Sequence, residues 1–241
     1  MTPTVAAIVL AGGSGSRVHT DVNKVYLPIR ERDMLSYSLE TMERSPRVDR
    51  VVLVVRQADL AKAETVIAET MPAKPSLVAI GGTSRHLSEL SGLRVIRPAI
   101  ESGEIELVAI HDGARPFMTL DLLDEIIDAA TRRGGAIPGL PIEEPLYRAG
   151  GDVIAMLPPA SLRRVQTPQA FRAKELLAAY EASHQAGFEG VDTAETVERF
   201  GDLEVEVVTG DPRNIKVTFV EDFFAAEELA LEWEKGAWVI P

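Results

Sequence analysis

Five short runs rich in β-branched residues punctuate the chain: VAAIVL (5–10), VVLVV (51–55), LVAI (77–80), ELVAI (106–110) and LEVEVV (203–208). Runs of this length and apolarity read as strands buried on both faces, the habit of a parallel sheet. Between them lie amphipathic stretches, MLSYSLETMERS (34–45), ADLAKAETVIAET (58–70), SRHLSELSGLRVIRPAI (84–100) and DLLDEIIDAATRR (121–133). The alternation predicts an α/β fold, an open and mostly parallel twisted sheet with helices on both faces. Ligands of such sheets collect at the carboxyl ends of the strands. The glycine-rich loop after the first strand and HDGARPF (111–117) after the fourth should therefore face one crevice.

Residues 138–165, PGLPIEEPLYRAGGDVIAMLPPASLRRV, break the rhythm with five prolines and a Gly-Gly turn. They read as an extended hairpin leaving the main sheet, either a dimerisation arm or a long surface loop. Beyond them AKELLAAYEASHQAG, TAETVERFG and FVEDFFAAEELALEWEKG return to helical patterning.

Composition bounds the partners. A formal net charge of −12 argues against non-specific binding to nucleic acid or to an anionic membrane surface. No apolar stretch approaches the roughly 18 residues of a membrane helix, and the N-terminus lacks the basic region of a signal peptide. With no cysteine the sequence excludes disulfides, thiol catalysis and thiolate zinc sites, which fits a cytoplasmic enzyme. His19, His86, His111 and His184 show no metal-ligand spacing.

The loop AGGSGSR (11–17) is built like a phosphate cradle but is neither of the two commonest kinds. A dinucleotide fingerprint needs a third glycine where Val18 sits, and a P-loop needs a Lys-Ser/Thr pair where Ser16-Arg17 sits. Gly12, Gly13 and Gly15 let the backbone come close to phosphate oxygens, and Arg17 and Lys24 supply charge beside them. A plain tight turn is the bland alternative. In the second cluster, Asp112 suits Mg²⁺ or a ribose hydroxyl and Arg115 a phosphate, unless the two simply pair to close a turn. In GDPRNIKVTFVEDF (210–223), Lys216 sits within an expected short strand, as an edge charge or as a group reaching into the crevice. GGTSRHLSEL (81–90) places Ser and Arg at the opening of a helix whose free N–H groups favour anions or polar base edges. Together these pieces ask for a reaction in which charge neutralisation is the main task, as in phosphoryl or nucleotidyl transfer.

In order and spacing, LAGGSGSR…NKVYLPI, GGTSRHLSEL, HDGARP, VQTPQAF, VDTAETVE and NIKVT resemble the cytidylyltransferases of the methylerythritol phosphate pathway. The related enzymes that make CDP-ribitol are also similar. The resemblance spans nearly the whole chain. It implies a single Rossmann-like nucleotidyltransferase domain over 1–241, with 138–165 as the protruding β-arm of a homodimer. It further implies a reaction of CTP, with Mg²⁺, and an alcohol phosphate to give a CDP-alcohol and pyrophosphate. By the resemblance, Arg17, Lys24 and Lys216 serve the reacting phosphates, and the loop of Ala11, Gly12, Gly13 and Gly15 cradles the triphosphate. Gly82 and Ser88 read cytosine, Asp112 holds the ribose or the metal, and Arg115 and Asp192 face the acceptor.

The chain departs from the family pattern in places. Asn23 stands where a proline usually precedes the lysine, and Thr83 where an acidic residue follows Gly-Gly. On the acceptor side, Glu144-Pro145-Leu146-Tyr147, Pro158-Pro159 and Val191 replace a threonine, an arginine and a second threonine. A phosphate deprived of one charge-assisted partner loses roughly 1.5–3 kcal/mol. Tyr147, Arg148, Arg163 and Arg164 are candidates to compensate. The working readings are a cytidylyltransferase acting on methylerythritol phosphate or on ribitol phosphate or another polyol phosphate, a sugar-1-phosphate nucleotidyltransferase, and a non-catalytic nucleotide-binding paralogue.

Overall fold

Strand β1 (Val5–Leu10) shows how the core is made, because its side chains divide by alternation between two wholly buried faces. Val5, Ala7 and Val9 enter one apolar cluster, while Ala6 and Ile8 enter the other. The computed structural model that shows this describes residues 2–13, 23–150 and 153–235.

After β1 a short hairpin, β2 (Pro28–Ile29) and β3 (Arg32–Asp33), leads to α1 (Met34–Arg44). Then come β4 (Arg50–Val55), α2 (Leu60–Thr70), β5 (Ser76–Ile80), α3 (Arg85–Val95), α4 (Arg97–Ser102), β6 (Leu107–Asp112) and α5 (Leu120–Arg133). Strand β7 (Gly134–Pro141) precedes the pair β8 (Leu146–Gly150) and β9 (Val153–Leu157), and β10 (Arg163–Val165) and β11 (Gln169–Arg172) follow. The chain closes with α6 (Ala173–Gln185), α7 (Thr193–Phe200), β12 (Glu204–Thr209) and α8 (Asp222–Glu234).

Among the described residues the main sheet has eight strands, in the order β10-β7-β11-β6-β1-β4-β5, with β12 beside β7. The pairs β6-β1, β1-β4, β4-β5 and β7-β12 are parallel; β11 and β10 run antiparallel to their neighbours. Residues of α1, α2, α5 and α8 cover one face, and residues of α3, α4, α6 and α7 the other. The expected mostly parallel α/β sheet is present.

Three local expectations change. The stretch 84–100 is two helices, because Pro98 lies in the first turn of α4 and cannot continue α3: it lacks an N–H and its ring clashes with the preceding turn. The strand expected to end at 110 runs through His111 and Asp112, which pair in register with Val9 and Leu10 of β1. Lys216 does not lie in a strand. The segment after β12 is held by isolated bonds, such as Val217 N–H to the Ala114 carbonyl (2.9 Å) and the turn from Asn214 N–H to the Asp211 carbonyl (3.0 Å), not by a ladder. In 138–165, β8 and β9 form their own antiparallel pair, while the two ends of the stretch join the main sheet through Arg163 opposite Pro141.

Candidate active site

The register Leu10 opposite Asp112 puts the start of the glycine loop and the end of HD side by side at the carboxyl ends of adjacent parallel strands. A cleft of about 520 Å³ opens there. Its wall includes Gly12, Gly13 and Lys24 from the first loop, and Gly82, Thr83, Ser84, Arg85 and Ser88 from the start of α3. Asp112 and Ala114 line its floor, and Val191, Lys216 and Thr218 complete it. Segments separated by up to two hundred residues thus meet, as the expectation of one crevice requires.

The α3 wall is shaped by close approach. A Cβ on Gly82 would fall 2.4 Å from the Leu87 Cβ, so only glycine fits. Ser84 caps α3, its Oγ accepting the Leu87 N–H (3.2 Å), and the Ser88 Oγ donates to the Ser84 carbonyl (2.7 Å).

Asp112 is the electrostatic centre. Arg85 binds its Oδ1, the Lys216 ammonium lies 2.7 Å from its Oδ2, and the Arg115 Nε lies 3.7 Å from the same oxygen. Burial opposes its charge, but Arg85 and Lys216, helped by Arg115, more than offset that cost and hold the carboxyl well below the usual carboxylate range. Its backbone N–H donates to the Thr167 Oγ1 (3.0 Å), whose hydroxyl can then donate to the His111 Nδ1 (3.2 Å). The His111 Nε2 lies 3.1 Å from the Arg115 carbonyl, which assigns the ring proton to Nε2. Full burial pushes the imidazole down to about 4, so it is neutral at pH 7.

Arg85 is itself clamped, since its Nε lies 3.0 Å from the Glu89 Oε1. Glu89 is wholly buried, accepts from the Tyr180 hydroxyl and takes the Thr193 Oγ1 hydrogen at 3.1 Å. Burial pushes its carboxyl up; Arg85 and the two hydroxyls pull the other way. A polar chain therefore runs from Asp112 through Arg85 and Glu89 to the first turn of α7.

The sequence-derived candidates fall into three groups. Gly12, Gly13, Lys24, Gly82, Ser88, Asp112 and Lys216 line the cleft together. Ala11, Arg115 and Asp192 stand behind or beside it. Ala11 is buried. Arg115 donates to the Asn214 carbonyl (2.8 Å). Asp192 caps α7 by accepting the Glu195 N–H (2.9 Å) and receives the Gln169 Nε2 hydrogen (3.1 Å). Gly15 and Arg17 lie outside the described residues. Sequence reasoning saw Arg85 only as the opener of a helix and missed its pairing with Asp112. A cation in the first turn after Gly-Gly was the available signal.

Among the described residues Asp112 is the one carboxylate lining the cleft, and they hold no cluster of three metal-ligating side chains. That donor set fits Mg²⁺, which takes one or two carboxylates and completes its shell with water and substrate phosphate oxygens.

Comparison with known proteins agrees with this geometry. The family model for 2-C-methyl-D-erythritol 4-phosphate cytidylyltransferase matches residues 5–232. The protein of that name from Geobacillus kaustophilus is 39% identical over 224 residues, 92% of this chain and 95% of its own length. Its namesake from Geotalea uraniireducens is 36% identical over 225 residues, again 92% and 95% of the two chains. Among solved structures, the 4-diphosphocytidyl-2C-methyl-D-erythritol synthase of Anaerococcus prevotii superposes with a TM-score of 0.84 at 28% identity, covering 95% of this chain and 97% of that one. The superposition over nearly the whole fold and the relatives matched along nearly their whole length converge, and the chain belongs to the 2-C-methyl-D-erythritol 4-phosphate cytidylyltransferase family, CTP-dependent nucleotidyltransferases.

Proposed function

We propose that this protein transfers the cytidylyl group of CTP to the phosphate of 2-C-methyl-D-erythritol 4-phosphate and releases pyrophosphate. The observation that carries the reading is the cleft that Lys24 lines with Gly12 and Gly13, and in which Arg85 and Lys216 hold one carboxylate. An oxygen of the acceptor phosphate attacks the α-phosphorus, the bond to the bridging oxygen breaks, and pyrophosphate leaves with that electron pair. Such chemistry needs in-line positioning and fixed positive charge more than a protein nucleophile.

In this reading the first loop cradles the triphosphate, with Arg17 completing its positive lining. Lys24 and Lys216 neutralise the charge that grows at the α-phosphorus. Gly82 and Ser88 present the base-reading edge, and Asp112 holds the ribose or Mg²⁺. Bound there, Mg²⁺ would screen the phosphate charge; Asp112 would be its protein ligand. Arg115 and Asp192 hold the loops on the acceptor side. Residues 138–165 act as the arm of a cytoplasmic homodimer within a single nucleotidyltransferase domain.

Val191 is 83% exposed at the cleft wall, where the family resemblance leads one to expect a threonine, and this observation favours a changed acceptor as the second reading. The test is pyrophosphate release with CTP and Mg²⁺ against 2-C-methyl-D-erythritol 4-phosphate, ribitol 5-phosphate, glycerol phosphate and sugar phosphates. Turnover with the first is expected. Turnover with ribitol 5-phosphate alone would move the assignment to a polyol phosphate. CTP binding with no release for any acceptor would favour a non-catalytic nucleotide-binding protein.

A further inference from the structure

Asn23 is wholly buried, yet it sits at the end of the glycine loop, one residue before Lys24. Both the amide nitrogen and the amide oxygen of its side chain find partners. The amide Nδ2 donates to the Ala11 carbonyl at 2.6 Å and to the Asp59 Oδ2 at 2.9 Å. The Oδ1 accepts the Val25 N–H at 3.4 Å, capping the short 3-10 turn Lys24–Tyr26. Asp59 is held in turn by Arg56, at 2.7 Å from Nε and 2.9 Å from NH2. Ala11 is anchored from the other side by its N–H, which donates to the Val54 carbonyl at 2.7 Å.

One side chain therefore ties the residue that opens the loop to the turn that carries Lys24, and fixes both to Asp59 in the turn between β4 and α2. A primary amide is suited to this, because it offers two donors and an acceptor in one plane. Proline, which the family resemblance leads one to expect here, has none of the three. A carboxylate of the same shape would set acceptor against acceptor at both the Ala11 carbonyl and Asp59.

We infer that Asn23 is a positioning residue for the triphosphate: it holds the Gly12-Gly13 backbone and the Lys24 ammonium at the spacing that the β- and γ-phosphates require. The inference rests on the proposed binding of CTP in this cleft. Asn23 does not line the cleft and acts only through Ala11 and the Lys24 turn. Its loss should therefore be felt by the phosphates beyond the first and not by the nucleoside end, which lies against the start of α3.

The experiment compares CTP and CMP binding by calorimetry, with Mg²⁺ and without acceptor, for the wild type, Asn23→Asp and Asp59→Asn. Asn23→Asp should weaken CTP about tenfold, the scale of one buried hydrogen bond, and leave CMP within about twofold. Asp59→Asn, which still offers an acceptor to the Asn23 amide, should retain CTP affinity within about threefold. If Asn23→Asp fails to fold, Asn23→Ser, too short to bridge Ala11 and Asp59, carries the same comparison. Equal weakening of both nucleotides, or no change in either, would overturn the positioning role while leaving the cytidylyltransferase reading in place. A wild type that binds neither nucleotide would overturn both.

Discussion

Lys24 projects into the cleft from a short 3-10 turn and Lys216 from a loop, neither from the core. The Lys24 Nζ donates to the Val217 carbonyl at 2.7 Å, and Lys216 remains 42% exposed beside Asp112. Removing either ammonium should leave the fold intact and act on the reaction. Lys24→Ala and Lys216→Ala should each lower turnover by at least about 10²-fold, the usual cost of losing one group that stabilises developing charge. Near-normal turnover in both variants, measured by pyrophosphate release, would remove the roles assigned to them. His111 makes a prediction about stability instead. Its folded-state value of about 4 lies below the ordinary 6.5, so the unfolded chain binds more protons between these values. Its contribution is then fully present above about pH 6.5 and is lost as the pH falls through about 4, with an upper bound of about 3 kcal/mol. Thermal melts across this window should show that loss, and His111→Gln should flatten it; an unchanged slope would mean that the ring is not buried neutral.

Helix α3 carries more of the site than its sequence advertised. It was legible as an amphipathic stretch after a Gly-Gly turn, and Ser84 has the composition of a cap. What could not be read was that Arg85 reaches Asp112, a residue 27 positions away on β6, and is clamped from behind by Glu89. Such pairings are set by which strands neighbour each other, and local periodicity is blind to that. The same blindness ended β6 early. His111 and Asp112 look like loop residues, yet they stay in the strand because Thr167 and the Arg115 carbonyl satisfy them in the interior. The pattern of NIKVT, in contrast, resembled a strand, but no strand among the described residues pairs with it. Gly82 gives the element-scale prediction. Gly82→Ala forces its methyl onto Leu87 and should destabilise by about 1–3 kcal/mol as the start of α3 moves. CTP binding should weaken with it. A variant with wild-type melting temperature and CTP affinity would show that this wall is not tightly packed.

At the scale of the molecule, the alternation of apolar runs and helices fixes the sheet and its two covered faces, so the position of the cleft follows from chain order alone. The hairpin of β8 and β9 is the exception to that economy. It carries Tyr147, Ile154 and Met156 largely exposed, an unusual display of apolar surface for a ribbon outside the main sheet. If the hairpin joins two copies, the double variant Ile154→Asp/Met156→Asp should shift the protein from dimer to monomer in sedimentation. A wild type that sediments as a monomer at micromolar concentration would dismiss the arm. The net charge of −12 makes the local concentration of cations in the cleft more telling. What that cleft does is best seen by phosphorus NMR of the wild type with CTP, Mg²⁺ and 2-C-methyl-D-erythritol 4-phosphate, followed in time. Attack at the α-phosphorus predicts that the two resonances of a diphosphate diester and that of free pyrophosphate grow together as CTP disappears. Orthophosphate in place of pyrophosphate, or CTP consumed without a diester, would contradict it.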